Sequence, residues 1–240
     1  MSTIDFWIKE KSLDDILQER DRFEVDDSEW NDWNEIKGKW LEHHKPSTKE
    51  EIVYFDELDL LSLSNGFIPC HQLPSIPFKT MSRSLLEYHP RYRHPIPYVI
   101  LKHKKKYFFI LRQGGSGEMR LIGRMGLVGG HVSAEEVCPM LDKTILNGLR
   151  RELMEEVGVD DSMIHSIELK GLIKSNEGVD SDHLGLVYEI ELENDDIASQ
   201  EEGVIEGIWL EENELKKYVD RFESWAKIVY ENILRERNQI

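Results

Sequence analysis

Residues 151–159 read Arg-Glu-Leu-Met-Glu-Glu-Val-Gly-Val, and their periodicity settles the local structure. Leu146, Leu149, Leu153 and Val157 recur at helical spacing and form one apolar stripe, which predicts an amphipathic helix from about Asp142 to Val157. Gly158 is its stop, because the residue just past a helix end often turns left-handed, a conformation glycine adopts without strain. Glu152, Glu155 and Glu156 stand at i, i+3 and i+4. At ~100° per residue they fall within an arc of roughly 100° beside the apolar stripe, at the rim of the buried face. Arg151 and Glu155 are four apart and can pair, which would restrain one carboxylate.

Upstream, Ile96–Leu101 and Tyr107–Leu111 flank a basic turn, His103–Lys106, and predict a hairpin. The stretch 120–131, Arg-Leu-Ile-Gly-Arg-Met-Gly-Leu-Val-Gly-Gly-His, is apolar but broken by glycines, a pattern that permits close backbone approach. Downstream, strands are expected at 171–174, 184–192 and 204–210, and Phe222, Trp225, Ile228, Val229 and Ile233 predict an amphipathic helix over 220–237. Strand-like Ile52–Phe55 begins a lead-in punctuated by Asn65-Gly66 and by Pro69, Pro74 and Pro77. Strands interleaved with two long helices define an α/β sandwich. Three parts are expected: an acidic helical extension over 1–48, a lead-in over 49–93 packed on the catalytic domain, and the catalytic domain over 94–240.

With 47 acidic against 30 basic residues, a formal net charge of −17, the chain lacks the basic footprint that nucleic-acid polymers or anionic membranes require. The start, Met1 to Glu10, has no signal-peptide pattern, and no segment approaches the roughly 20 apolar residues of a membrane span. Two cysteines, Cys70 and Cys138, make neither a disulfide framework nor a zinc pattern. A cytoplasmic protein with free thiols is the expectation.

Three glutamates on a helix of so acidic a chain are by themselves a solvated face. The full nine-residue pattern downstream of Gly129-Gly130 is another matter, since it arises by chance in about one chain of this length in several thousand. It resembles the Nudix box, G-x5-E-x7-R-E-apolar-x-E-E-x-G-apolar. Gly130 and Glu136 match its first half, and Arg151, Glu152, Leu153, Glu155, Glu156, Gly158 and Val159 its second. Residues 137–150 depart from it, being fourteen where the family usually has seven. The tracts Ile96-Pro97-Tyr98-Val99, Arg120-Leu121-x-Gly123, Asn147-Gly148-Leu149, His183-Leu184-Gly185 and Glu223-Ser224-Trp225 resemble a subgroup labelled predicted phosphoesterases, over about residues 50–236.

The resemblance implies an α/β/α sandwich with a mixed sheet and a hydrolase that cleaves a pyrophosphate bond in a nucleoside diphosphate derivative or related small phosphorylated molecule. It implies Mg2+ or Mn2+ held by Glu152, Glu155 and Glu156, with the Gly129 carbonyl completing the shell, and catalytic roles for Glu152 and Arg151. Glu152 is the first choice of base, while Glu177, Asp180, Asp182 and Glu202 are unranked loop alternatives. Arg112, Arg120 and Arg124 are candidates for holding substrate phosphates, against the plainer reading of surface pairs in an acidic chain. His131 and His183 read as hydrogen-bonded structural residues, since oxygen-loving metals do not need imidazole. Cys138 reads as inert. The alternative function is a non-catalytic Nudix-fold module that senses a nucleotide.

Trp30, Trp33, Ile36 and Trp40 recur at helical spacing in the extension. Such a stripe calls for burial against the chain's own domain or in a homodimer. Because every candidate catalytic residue lies far downstream, a chain starting at Thr48 is expected to lose melting temperature or change oligomeric state while its folded fraction keeps metal-dependent turnover. Calorimetry, light scattering and phosphate release check this. An equally stable, monodisperse and inactive product would instead make the extension part of substrate recognition.

Overall fold

The computed structural model describes residues 50–86, 91–113, 123–176, 181–199 and 205–235, with Ile8, Lys9, Lys11, Ile16, Ile36, Lys39, Trp40 and His43 of the extension. The expected glutamate-bearing helix runs from Leu141 to Val157 (α1). Gly158 ends it with φ 68°, its N–H bonded to Met154 O and that of Val159 to Leu153 O, both at 3.1 Å. The helix thus stops through the left-handed glycine cap that the sequence predicts.

The expected hairpin forms from β4 (Tyr92–His103) and β5 (Lys106–Arg112), its register closing at His103 opposite Lys106. Together with β1 (Glu51–Asp56), β2 (Gly66–Pro69), β3 (Lys79–Ser82), β6 (Met125–Gly126), β7 (Val128–Gly129), β8 (Ile164–Lys174), β9 (His183–Leu192) and β10 (Ile205–Glu211), it builds a mixed sheet. Its main order is β10-β5-β4-β9-β8-β2. β4 and β9 run parallel from His94 opposite His183 to Lys102 opposite Glu191, and the neighbouring pairs are antiparallel.

The side-chain period of two divides the apolar residues of these strands between two cores. Val99 and Leu101 of β4, Phe108 and Ile110 of β5, and Leu186 and Ile190 of β9 pack with Ile145, Leu149, Leu153 and Val157 of α1. Tyr98 and Ile100, Tyr107 and Phe109, and Val187 face the opposite way, onto Phe222 and onto Trp225 and Val229 of a second helix, α2 (Ser224–Val229). Helix, sheet and helix make the expected α/β/α layering, with the sheet covered on both faces. No described helix is long and apolar enough to cross a membrane.

Three expectations need correction. The segment 66–69, read as loop, is β2 and pairs with β8, so the lead-in contributes a strand to the sheet itself. β8 begins at Ile164, seven residues before Gly171, where charged and half-buried residues hide the alternation. The C-terminal helix is not continuous over 220–237. Glu212–Arg221 forms 3-10 turns, and α2 passes at Tyr230–Leu234 into a wider turn in which Arg235 N–H reaches back five residues to Tyr230 O at 2.8 Å. Within the extension, Ile36 and Trp40 are helical and buried, and Trp40 Nε1–H donates to Lys11 O at 2.9 Å. Trp30 and Trp33 lie outside the described residues.

The lead-in is fastened by an ionic cluster. Glu57 accepts from Arg93 and from Lys174 Nζ at 2.8 Å, both cations being 5% exposed. Lys174 also donates to Leu60 O at 2.9 Å, and Arg93 to Ser175 O at 2.6 Å and Asn176 Oδ1 at 2.7 Å. Burial opposes ionisation of Glu57, but the hydrogen bonds from Lys174 and Arg93 outweigh it and hold the carboxyl below its ordinary value. A depressed folded-state value stabilises fully above the unfolded-state value, and that gain is lost as the pH falls through the folded one. Glu57→Gln is therefore expected to cost about 2 kcal/mol at neutral pH, below the range for a fully buried pair because solvent reaches Glu57. Urea denaturation across the acid range should also show a shallower pH dependence in the variant than in the parent.

Candidate active site

β7 carries Gly129 across from Tyr98 of β4, and Val53 N–H of β1 bonds Val132 O at 2.8 Å. These contacts hold Gly129-Gly130-His131 against the flank of α1. A Cβ on Gly129 would lie 2.3 Å from Pro97 O, and one on Gly130 would lie 2.3 Å from the Glu152 carboxylate. Backbone thus closes Gly129 to any side chain, and one at Gly130 would push the Glu152 carboxylate aside, in line with the close approach that the sequence pattern suggests. Gly129 N–H in turn points at Glu156 Oε2, 3.4 Å away.

Arg151 organises the rim. Its Nε donates to Glu136, Nη1 to Glu155 Oε2 at 2.7 Å, and Nη2 to both Glu152 Oε1 at 2.8 Å and His131 O at 2.7 Å. The expected pairing with Glu155 is present, and two further carboxylates share the same guanidinium. Glu136 reaches it because Ser133 and Glu136 form a capping box, with Ser133 N–H on Glu136 Oε2 at 2.7 Å and Glu135 N–H on Ser133 Oγ at 3.3 Å. The seven extra residues do not displace it. They form a loop and added helical turns, tied where Thr144 Oγ1 accepts from Cys138 N–H at 3.0 Å and donates to Cys138 O at 3.2 Å. Asn147 Nδ2 donates to Glu136 O at 3.1 Å from the helix itself.

These groups line a cavity of about 980 Å³. Among the described residues its wall carries seven glutamates, including Glu50 and Glu51 at the start of β1, against two arginines, Arg83 and Arg151. Burial pushes the Glu152 carboxyl above its ordinary value, more than the neighbouring Arg151 lowers it. Glu50, Glu51 and Arg83 have no local signature, because only the pairing of β1 with its neighbours brings them here.

The remaining candidates divide between described and undescribed residues. Arg112 and Arg124 are not on this cavity: Arg112 Nε lies 3.9 Å from Glu223 Oε2, and Arg124 Nη1 donates to Asp220 O at 2.8 Å. Asp182 is buried. Arg120, Glu177, Asp180 and Glu202 lie outside the described residues. Cys70 and Cys138 are free thiols, and Cys138 Sγ contacts Met140 O at 3.4 Å. His131 and His183 come together with His94, which the sequence did not single out.

A mixed sheet covered on both faces, with a glycine-cradled carboxylate rim near the C-terminal end of α1, is the arrangement of the Nudix fold. The chain belongs to the NUDIX domain family, whose model matches residues 92–233. It is 31% identical over 157 residues to Protein YmaB of Bacillus subtilis (strain 168), covering 63% of this chain and 76% of that protein. The fold is also similar to the crystal structure of Tm1382, described as a candidate Nudix hydrolase, with a TM-score of 0.65 and 24% identity over 78% of this chain and 100% of the other. Family membership supports hydrolysis of phosphorus anhydrides in general, and the family generally uses divalent metals such as Mg2+ or Mn2+.

Arg151→Met would leave three carboxylates facing one another without their shared cation. The expected loss is about 3 kcal/mol of unfolding free energy, since Glu136 and Glu152 are only 10% and 13% exposed. Urea denaturation without divalent ions measures it, and a loss under about 1 kcal/mol would mean that solvent already screens the rim.

Proposed function

We propose that this protein is a divalent-metal-dependent pyrophosphohydrolase acting on a nucleoside diphosphate derivative or a related small phosphorylated molecule. The observation that carries the reading is the convergence of Glu152, Glu155 and Glu156 with Gly129-Gly130 on one cavity, held by Arg151. The donors are hard oxygens on a partly solvated rim, the set that suits Mg2+ or Mn2+. Glu152, Glu155, Glu156 and the Gly129 carbonyl would hold the ion, which when bound neutralises phosphate charge and acidifies a water.

The rest falls to the chain. Glu152, pressed against Gly130 and fixed by Arg151, would accept the proton of the attacking water. Arg151 spends its N–H groups on Glu136, Glu152, Glu155 and His131 O, so it positions carboxylates rather than gripping substrate. Among the described residues Arg83 is the other lining guanidinium and would meet the substrate's anionic end. A small phosphorylated partner follows from the same reading.

Phosphate release from nucleotide sugars, dinucleoside polyphosphates, nucleoside triphosphates and NADH, with and without Mg2+ or Mn2+, tests the proposal. Glu156→Gln keeps shape but removes a charge, and turnover should fall at least about a hundredfold with the circular dichroism unchanged. Activity within a few-fold of the parent at saturating Mg2+ would discard the assignment. Nucleotide binding without turnover by the parent would instead identify a sensing module.

A further inference from the structure

His94 of β4 and His183 of β9 are register partners on adjacent parallel strands, so their side chains leave the same face of the sheet. His131, just past β7, closes the group. The ring centroids form a near-equilateral triangle, 5.1 Å from His94 to His183, 5.3 Å from His94 to His131 and 5.4 Å from His131 to His183. One ring nitrogen from each lies within 4.8 Å of the other two, and His94 Nδ1 is 3.2 Å from His131 Nε2. His94 is fully buried and the other two are half-buried. Trp225 of α2 stands edge-on to His183 at 6.3 Å, so one wall of the group is aromatic.

Zinc–imidazole bonds of 2.0–2.1 Å in a tetrahedron set the ligand nitrogens roughly 3.3–3.4 Å apart. One side of the triangle already has about that length, and ring rotations of His131 and His183 would close the others. Three imidazoles suit a borderline transition ion, whereas the glutamate rim suits a hard one, so the two sets select different metals. His131 links them, because its carbonyl accepts from Arg151 Nη2 at 2.7 Å while its neighbour Gly130 abuts Glu152.

We propose that His94, His131 and His183 bind one zinc-class divalent ion in a site separate from the glutamates, its fourth position left to a water. The bound ion anchors the turn that carries Gly129 and Gly130 and so braces the wall of the cavity. The site stands independently of the hydrolase reading.

The test titrates the metal-free full chain with Co2+ at saturating Mg2+ and no substrate, following the visible absorption of four-coordinate cobalt. One Co2+ per chain is expected. His183→Gln should weaken binding at least about tenfold, by comparison with the losses seen when even groups supporting a metal ligand are removed, whereas Glu155→Gln/Glu156→Gln should leave it unchanged. Because a His94 variant can fail to fold at so buried a position, X-ray absorption of the zinc-loaded parent provides a readout without substitution, and three imidazole scatterers are expected. Cobalt binding that survives His183→Gln, that is lost with the glutamates, or that never reaches one ion per chain overturns the site, as does a zinc spectrum without imidazole.

Discussion

Mutual repulsion of carboxylates, contained by one guanidinium, governs the centre of this protein. Two unit charges 4 Å apart repel by about 1 kcal/mol in water and about 4 kcal/mol near a protein surface. Glu136, Glu152 and Glu155 share Arg151, and Glu152 is buried enough that its ionised form is disfavoured. The planar guanidinium serves several acceptors in fixed directions, which an ammonium cannot do. Among the described residues Arg83 is the other guanidinium on the cavity, so on the proposed reading a bound cation would supply further neutralisation of the rim.

The sheet supplies the rigidity that this arrangement needs. β4 lies between β5 and β9, gives alternate residues to both cores, and carries β7 and hence Gly129. α1 is pressed on one face by Leu149, Leu153 and Val157, which leaves its glutamates at the border of the packed surface. Carboxylates placed on a packed helix cannot drift apart to relieve their repulsion. The same strand carries His94 near its start, so glutamate rim and histidine triangle are fixed by one frame, with His131 as their shared residue.

The acidity of the chain bears on what the cavity can accept. Among the described residues, seven glutamates against two arginines around about 980 Å³ make a wall unfavourable to a bare anion. The proposed anionic substrate would become acceptable when it arrives with, or meets, a divalent cation. On the proposed reading the electrostatics would ally substrate and metal in a single requirement, in keeping with the oxygen-only donor set of the rim.

Local signals carried much of this in the sequence. The stripe through Leu149, Leu153 and Val157, the stop at Gly158 and the spacing of Glu152, Glu155 and Glu156 are short-range regularities, and the structure returns them in α1. The paired glycines also announced a close approach, though not to what. Other features depend on contacts between distant segments: β2 read as loop until β8 gave it a partner, and for Arg112 and Arg124 the sequence left phosphate binding and surface pairing both open, while the fold places them beside Glu223 and Asp220. Glu136 kept its place on Arg151 across a fourteen-residue interval because loop and helix fold back, a closure that spacing alone does not encode. His94, His131 and His183 are far apart in sequence and meet only through the pairing of β4 with β7 and β9. Periodicity within one element is written in consecutive residues, whereas a site assembled across strands is decided by register, and register is a property of the folded sheet.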